Sequence, residues 1–582
     1  MYYFINVFFF QFHYHVPPDC INPKNADRTI TSCNSYGMPL KDILEKDKLE
    51  KDILLNYFSF DVKNIEEIYE CQWKDYKMKN ATEMEVFWSC SELPKKRPLN
   101  RLIPRATLRG GFIEIYRLKF KIDENPGWSL HFVDANSLYS HVVLNNTFPV
   151  GKYEVLLHKD NLKKNITLLW GKFFYRGESM SGDAAHVKIV APSNLNRPFL
   201  PYRLNDEFSH YALCKECLQK KLTHNCPHRS KLVRSFTSCY QITDLEKAVA
   251  LGYEILEWYE VHHYRKRDNI FADFVKILAA QKLKNTDIFE NVSVTEKKLI
   301  CDNINFKMNF NIDCDLKLTP DAIVCNPAQK ELYKLMLNSF YGRFALHTNF
   351  THHYFCKSLS EIERYASQKD TVIVDLISFS DDICEIEVVA PTKVKPNLNG
   401  TLYITSEINA LARKFIYEKS EEIEDKGGII LSIDTDAIIF ALPPGVESPL
   451  VYSHAFGDFK NVLGSNVLIE SFYSLGPRNY SITYKDSLGV QQHLLKVKGL
   501  STKSSNNCNI ISPEIYHDFI ETHFKNDISK IYLPQMRKKI EKQTKKFHEI
   551  LTYFEFGNEI HAKRYIIPNE KNYNCYPFGY KF

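Results

Sequence analysis

At 582 residues with 44% hydrophobic composition, the chain has room for several subdomains and a large core. A formal charge of +5 excludes a strongly basic coat, so any grip on a polyanion has to come from local clusters. Fifteen cysteines without a signal peptide point to a reducing, intracellular compartment and away from a disulfide framework.

Met1–Phe10 is apolar and aromatic but lacks a basic n-region and is too short to cross a bilayer. It reads as a truncated core strand or an incorrectly predicted start, and no membrane partner is expected. Residues 1–100 also carry His13, His15, Cys20 and Glu70-Cys71-Gln72-Trp73, scattered residues of a kind that more often packs than ligates. The apolar run Leu130–Val133 should end a strand at Asp134, with a turn or helix opening at Ser137-Leu138-Tyr139. Alone, Asp134 suits a helix cap as well as a metal ligand.

Cys214-x2-Cys217-x8-Cys226-x-His228, with His224 and Cys239 nearby, has spacing suited to a tetrahedral structural zinc. Free cysteines in a lysine-rich loop are the alternative. Lys330, Lys334, Asn338 and Tyr341 recur every three or four residues and should share one helical face, two cations, an amide and a phenol. That face fits a triphosphate and a base pair, or simply solvent, while Leu332, Leu335 and Met336 are expected to pack inward. Asp434 and Asp436, between apolar strand-like runs, form the acidic turn of a hairpin. Two carboxylates so close raise each other's pKa unless a cation lies between them, though Asp-Thr-Asp is also an ordinary turn sequence. After Pro534 the basic run Arg537, Lys538, Lys539, Lys542, Lys545 and Lys546 reads as a helix that grips phosphates or faces solvent.

In order, a lone carboxylate, a cation-bearing helix and an acid pair are the parts that two metal ions and a nucleoside triphosphate need. Asp134…Ser137-Leu138-Tyr139, Lys334…Asn338-Ser339…Tyr341-Gly342 and Asp434-Thr435-Asp436 resemble motifs A, B and C of family B DNA polymerases. More narrowly they resemble the protein-primed branch of phages, adenoviruses, organellar plasmids and Maverick/Polinton mobile elements. Arg105…Arg109-Gly110-Gly111, Gly476-Pro477-Arg478-Asn479-Tyr480, Lys496-Val497-Lys498-Gly499 and the ending Lys563-Arg564…Pro577-Phe578-Gly579-Tyr580 resemble secondary signatures of that branch.

The resemblance implies an α/β (α+β) multidomain fold: a right-hand polymerase with an antiparallel palm sheet and helical fingers and thumb. It implies a degenerate segment over 1–100, palm over 101–145, a terminal-protein-type insertion over 146–324, and fingers with a second insertion over 325–400. Palm resumes over 401–503, and thumb and tail fill 504–582. Too little chain precedes Asp134 for the usual exonuclease, so the product is expected to be truncated at the front.

The implied activity is template-directed DNA synthesis at a 3′ end or on a protein primer's hydroxyl. Asp134 and Asp436 would bridge two Mg²⁺ ions with Asp434 assisting. Lys330 and Lys334 would meet the triphosphate, Tyr139 would screen the sugar, and Asn338 and Tyr341 would line the nascent pair. Arg109, Gly110 and Gly111 would contact template, and Arg478, Tyr480, Lys496 and Lys498 the primer strand. The implied partners are primer-template DNA, deoxynucleoside triphosphates and a terminal protein, in nucleus or cytoplasm, with a mitochondrial address as the alternative.

Ser140 for the usual Pro, Ala437 for Ser and Arg478 for Lys depart from the family pattern. Ser140 and Ala437, with the missing exonuclease, motivate one rival, a catalytically impaired DNA-binding relic. A reverse transcriptase, the other rival, normally has adjacent acids in its hairpin, and Lys-x3-Asn-Ser-x-Tyr-Gly is foreign to it.

Overall fold

The computed structural model of the chain describes residues 101–582, apart from 205–208, 224, 290–291, 311–314, 346–351, 368–371, 379–383, 390–398, 499, 501–510, 526–528, 541–546, 561–562 and 568–572. The expectations for residues 1–100, His224, Gly499, Lys542, Lys545 and Lys546 lie outside those residues. The chain divides into two units. In the smaller, the strands His352–Cys356, Cys384–Val389 and Val372–Ser378 form a three-stranded sheet over a core of Cys356, Ile386 and Val388.

The larger unit comprises Leu102–Leu346, Asn397–Lys539 and His548–Phe582. Its elements begin with β1 (Ile113–Ile115), β2 (Lys119–Lys121), β3 (Ser129–Ala135) and α1 (Leu138–Asn145). Next come β4 (Glu154–Leu157), β5 (Ala184–Val190), β6 (Phe236–Gln241), α2 (Ile242–Ala250) and β7 (Glu254–His263). Among the helices that follow are α3 (Ala272–Lys284), α4 (Pro327–Arg343) and α5 (Asn399–Asp425). Then come β8 (Ile429–Asp434), β9 (Ala437–Leu442), β10 (Phe459–Asn461), β11 (Leu468–Gly476), β12 (Asn479–Lys485) and β13 (Gln491–Lys496). Last are α6 (Pro513–Phe524), β14 (Lys530–Ile540), β15 (Phe547–Gly557), β16 (Tyr565–Ile566) and β17 (Cys575–Tyr576).

Five strands make the sheet that carries the acidic motifs, in the order β1-β8-β9-β3-β10, every neighbour antiparallel. Val133, Ile433, Ile438 and Phe440 pack on one face with Ile404, Ile408, Ala412 and Ile416 of α5. Leu130, Phe132, Leu431 and Ile439 pack on the other with Phe472 and Ile482. Burial on both faces is why β8 and β9 read as continuous apolar runs rather than alternating ones.

A second sheet, β2-β11-β12-β13, packs against α6 through Tyr473, Leu475, Tyr516 and Phe519. Between motifs A and B a separate sheet, β6-β5-β7-β4, is covered by α2. These antiparallel sheets and helices are the mixed α/β architecture expected.

The helix expected after Pro534 is not there. Residues 530–540 are strand β14, paired in a two-stranded sheet with β15. The β-prone Ile531-Tyr532-Leu533 sets the conformation, and a two-stranded ribbon tolerates Pro534 because both its strands are edges. Among the described residues no helix is long and apolar enough to cross a membrane.

Candidate active site

Strand register brings the acidic motifs together. Asp434 stands opposite Ala437, Ala437 opposite Asp134, and Asp134 opposite Lys460. Residues paired across antiparallel strands point to one face, so this row places two carboxylates and a lysine on the same side, neighbouring strands ~4.8 Å apart. The turn between β8 and β9 is held on three sides. Thr435, at φ +65°, donates its N–H to Phe112 O at 2.6 Å, Asp436 N–H reaches Asp434 O at 2.8 Å, and Ala135 N–H reaches Asp436 O at 2.8 Å.

Charge at the row is strained and partly balanced. Burial, then the carboxylates of Asp134 and Asp434, pushes Asp436 up to about 6. Lys460 Nζ pairs with Asp134 Oδ1 at 2.7 Å, and Arg478 grips Asp434 with Nε and Nη2 at 2.8 and 3.0 Å. The motifs imply a primer-strand role for Arg478, whereas Lys460 belongs to no motif. Two long cations resting on a cluster of three acids show that the cluster draws positive charge, and hard oxygen donors of this kind suit a hard divalent cation. The departures Ser140 and Ala437 remove no carboxylate. Ser140 is buried in α1, and Ala437 contributes its backbone to the row.

On the nucleotide side, Tyr139 stacks on Tyr341 with ring centroids 4.2 Å apart and planes within 11°. Motifs A and B therefore meet through their tyrosines. Asn338 and Lys334 are exposed on α4, Lys330 is half-buried, and Lys334 pairs with Glu331 at 3.2 Å. Gly342 has open space over its Cα, leaving a flat end to the helix.

The inward face of α4 differs from expectation: Leu332, Leu335 and Met336 are exposed, and Leu337 is buried instead. The reason is the start of α3, where the capping Phe271 and Phe274 meet Phe340 at 5.1 and 5.3 Å and turn the 333/337/340/344 stripe inward. From α3 comes a further cation that the motifs do not show. Lys282 donates to Ser137 Oγ at 2.7 Å, and burial followed by Lys460, Lys334 and Lys330 pushes its pKa down to about 8. Its only trace in the sequence is a lysine after the apolar Ile277-Leu278-Ala279-Ala280.

The Gly-Gly segment braces the acidic turn. A Cβ on Gly111 would lie 2.8 Å from Thr435 Cγ2, so only glycine lets this backbone approach. Arg413 of α5 donates to the carbonyls of Arg109 and Gly110 at 2.9 Å each and pairs with Asp244 of α2 at 2.6 Å, both side chains fully buried. Breaking such a pair typically costs ~3–5 kcal/mol. Arg109 corrects an expectation: it is buried, its guanidinium donating to Ser238 Oγ at 2.9 Å, so it supports the fold and is not presented to DNA. Gly110 has open space over its Cα.

Tyr480 of β12 stands opposite Lys496 of β13 and sets its ring edge-on to Phe132 of the motif A strand. Lys496 and Lys498 are exposed, on either side of buried Val497.

Cys214, Cys217, Cys226 and His228 form a second cluster, their ligand atoms all within 4.8 Å of one another. Sγ of Cys217 lies 3.4 Å from Sγ of Cys226, and Nδ1 of His228 lies 3.4, 3.4 and 3.8 Å from the sulfurs of Cys214, Cys217 and Cys226. A tetrahedral zinc with ordinary bond lengths separates its ligands by about 3.6–3.8 Å. Burial raises the thiols of Cys214 and Cys217, a penalty that a bound cation would reverse. Cys239 is elsewhere, buried with Leu102, Tyr264 and Tyr403.

The family model for type B DNA polymerases, organellar and viral, matches residues 96–302 and 312–425, more than half of the chain. The chain belongs to that family. It is a DNA-directed DNA polymerase, a nucleotidyltransferase that carries out template-directed DNA synthesis. The match takes in motifs A and B and stops short of Asp434 and Asp436, which the sheet register supplies.

Among solved structures the chain is similar to Phi29 DNA polymerase complexed with primer-template DNA and incoming nucleotide substrates: 14% identity, TM-score 0.46, 84% of this chain and 70% of that one covered. It is also similar to the orthorhombic crystal form of Phi29 DNA polymerase, at 14% identity, TM-score 0.45, and 87% and 77% coverage. No curated protein matches.

Proposed function

We propose that this polymerase adds deoxyribonucleotides by two-metal phosphoryl transfer, with Asp134 and Asp436 as the shared ligands and Asp434 assisting. The observation that carries the reading is the convergence of three carboxylates on one sheet end, where Asp436 is pushed up to about 6 and two cations lie on its neighbours. Two Mg²⁺ ions held there would neutralise the attacking and leaving oxygens of an in-line displacement.

The chain's own residues do the positioning. Lys282, Lys330 and Lys334 surround the place for a triphosphate, each a compact positive charge. The Tyr139–Tyr341 stack supports sugar and base from below. Tyr480, Lys496 and Lys498 hold the primer strand, and Arg478, released from Asp434, joins them. A protein primer's hydroxyl is the second acceptor. A terminal protein would dock on the insertion, where Leu168, Leu169 and Trp170 at a hairpin tip are exposed. A structural zinc at Cys214, Cys217, Cys226 and His228 would hold that insertion together.

Primer extension by Asp436→Asn tests the assignment. Mg²⁺-dependent addition should fall by about three orders of magnitude or more, with primer-template affinity within a few fold. Near-normal extension would remove Asp436 from the metal set.

A further inference from the structure

The thiol cluster is not closed by its own loop. Phe578 O accepts from Leu213 N–H at 2.8 Å and Tyr580 O accepts from Cys226 N–H at 3.1 Å, so the segment Pro577–Phe582 lies along both cysteine-bearing stretches. Lys581 N–H continues the contact to Ser193 O at 2.7 Å. Gly579, at φ +92°, sits so close that a Cβ would be 2.4 Å from Cys214 Cβ and 2.6 Å from its backbone N. Phe578 is buried in the same apolar cluster as Cys214, Cys217 and Cys226.

The same end of the chain is bolted to the catalytic sheet. Arg564 donates to Cys575 O at 2.9 Å and pairs with Glu114 of β1 at 3.2 Å, both side chains buried. Lys563 Nζ donates to Ile113 O at 3.2 Å, and Ile113 is the residue opposite Asp434. Cys575 N–H reaches Tyr116 O at 2.8 Å.

We propose that zinc binding at Cys214, Cys217, Cys226 and His228 and seating of the Pro577–Phe582 segment are one coupled event, fixing the far end of the chain across the sheet that holds Asp434. This rests on the zinc reading above and adds to it a dependence on residues that ligate nothing. Two of the tail's carbonyls accept from the backbones of Leu213 and Cys226, which must be held in place for the ligands to converge. An unloaded cluster leaves three buried thiols to repack, and the platform for the tail moves with them. Coupling is reciprocal: if zinc strengthens seating by some factor, the seated tail strengthens zinc binding by the same factor.

Zinc competition with a chromophoric chelator, on the full chain, reads one side. Wild type should hold about one zinc, and Gly579→Val and Phe578→Ala, with all four ligands intact, should still reach about one zinc at saturation but with affinity weaker by about tenfold. Hydrogen exchange of wild type with and without zinc reads the other side and needs no variant: the amides of Leu213, Cys226 and Lys581 should lose protection when zinc is removed. Unchanged zinc affinity in both variants, or unchanged protection of those amides, overturns the coupling while leaving the zinc site standing. A wild type that takes up no zinc overturns both.

Discussion

Asp134, Asp434 and Asp436 sit at an open sheet end with Lys460 and Arg478 laid on two of them, whereas Cys214, Cys217, Cys226 and His228 face one another behind the residues that end the chain. The lysine and arginine are 56% and 59% exposed, but the three cysteines are at most 6% exposed. Long exposed side chains swing away at little cost, so the acidic site can exchange them for cations and substrate at each turnover. The sulfur site has no such stand-in, and its soft donors suit an ion that enters once and stays. On the proposed reading, the difference separates a working metal site from a structural one.

The largest expected effect tests that separation. Cys214→Ser/Cys217→Ser should drop zinc from about one per chain to none and cost several kcal/mol of stability, because metal binding free energy is folding free energy at such a site. Asp436→Asn should keep its zinc. Metal analysis and thermal unfolding of the two variants side by side check both statements, and zinc loss in Asp436→Asn would collapse the distinction.

Next in size is the pH response of the acidic site. In the metal-free protein Asp436 titrates near 6 against an ordinary value near 4, so the folded state holds its proton more tightly than the unfolded state. Its burial penalty is absent below about pH 4, grows as pH rises to about 6, and is complete above that. Asp436→Asn should therefore stabilise the metal-free chain above pH 6, by roughly 1–2 kcal/mol after screening, and have no such effect near pH 4. Mg²⁺ must displace that proton, so its affinity in wild type should fall as pH drops below about 6. Calorimetric melting with chelator, across that range, gives the sign.

Lys282 sharpens the picture of the nucleotide side. Charge-assisted contacts contribute roughly 1.5–3 kcal/mol, so Lys282→Met should raise the KM for nucleotide by about ten- to a hundredfold, with a smaller change in kcat. With its pKa near 8, wild type should also lose nucleotide affinity as pH rises through 8, an alkaline limb missing from the variant. An identical limb in both would place Lys282 in folding alone.

Why the motifs were visible and Lys282 and Lys460 were not is a matter of range. Asp134, Asp434 and Asp436 are flagged by their neighbours in the chain, an apolar strand breaking into an acidic turn, and strand register then fixes where they meet. Lys460 becomes part of the site only because β10 pairs with β3, and Lys282 only because α3 packs on α4 through Phe271, Phe274 and Phe340. Neither partnership leaves a local mark. The same limit misassigned the inward face of α4, since the helical period allows more than one stripe and the aromatic partner on α3 decides. It also misassigned the basic stretch Arg537–Lys539 after Pro534, where lysine and arginine content suggested a helix and a strand begun at Ile531-Tyr532-Leu533, with a strand partner, prevailed. The clustering of Cys214, Cys217, Cys226 and His228 was legible because a knuckle spacing is itself local, but the Pro577–Phe582 segment lying on it was not.

The smallest effect concerns sugar choice. The ring of Tyr139, the residue expected beneath the sugar, is stacked on Tyr341, so motif A and motif B present one two-ring platform. A stacked aromatic pair contributes ~0.5–1.5 kcal/mol beyond its burial, which sets the scale for what loosening the platform can do. Tyr139→Val should lower discrimination against ribonucleotides by about two- to tenfold and also disturb base-pair fidelity, because Tyr341 loses its support. Tyr139→Phe keeps the stack and should behave as wild type in both measurements. Ratios of kcat/KM for ribo- and deoxyribonucleotides, with a mispair measured in parallel, separate the two roles. A change in sugar choice with fidelity untouched would mean that Tyr139 acts on the sugar by itself, and the stack would then be packing and nothing more.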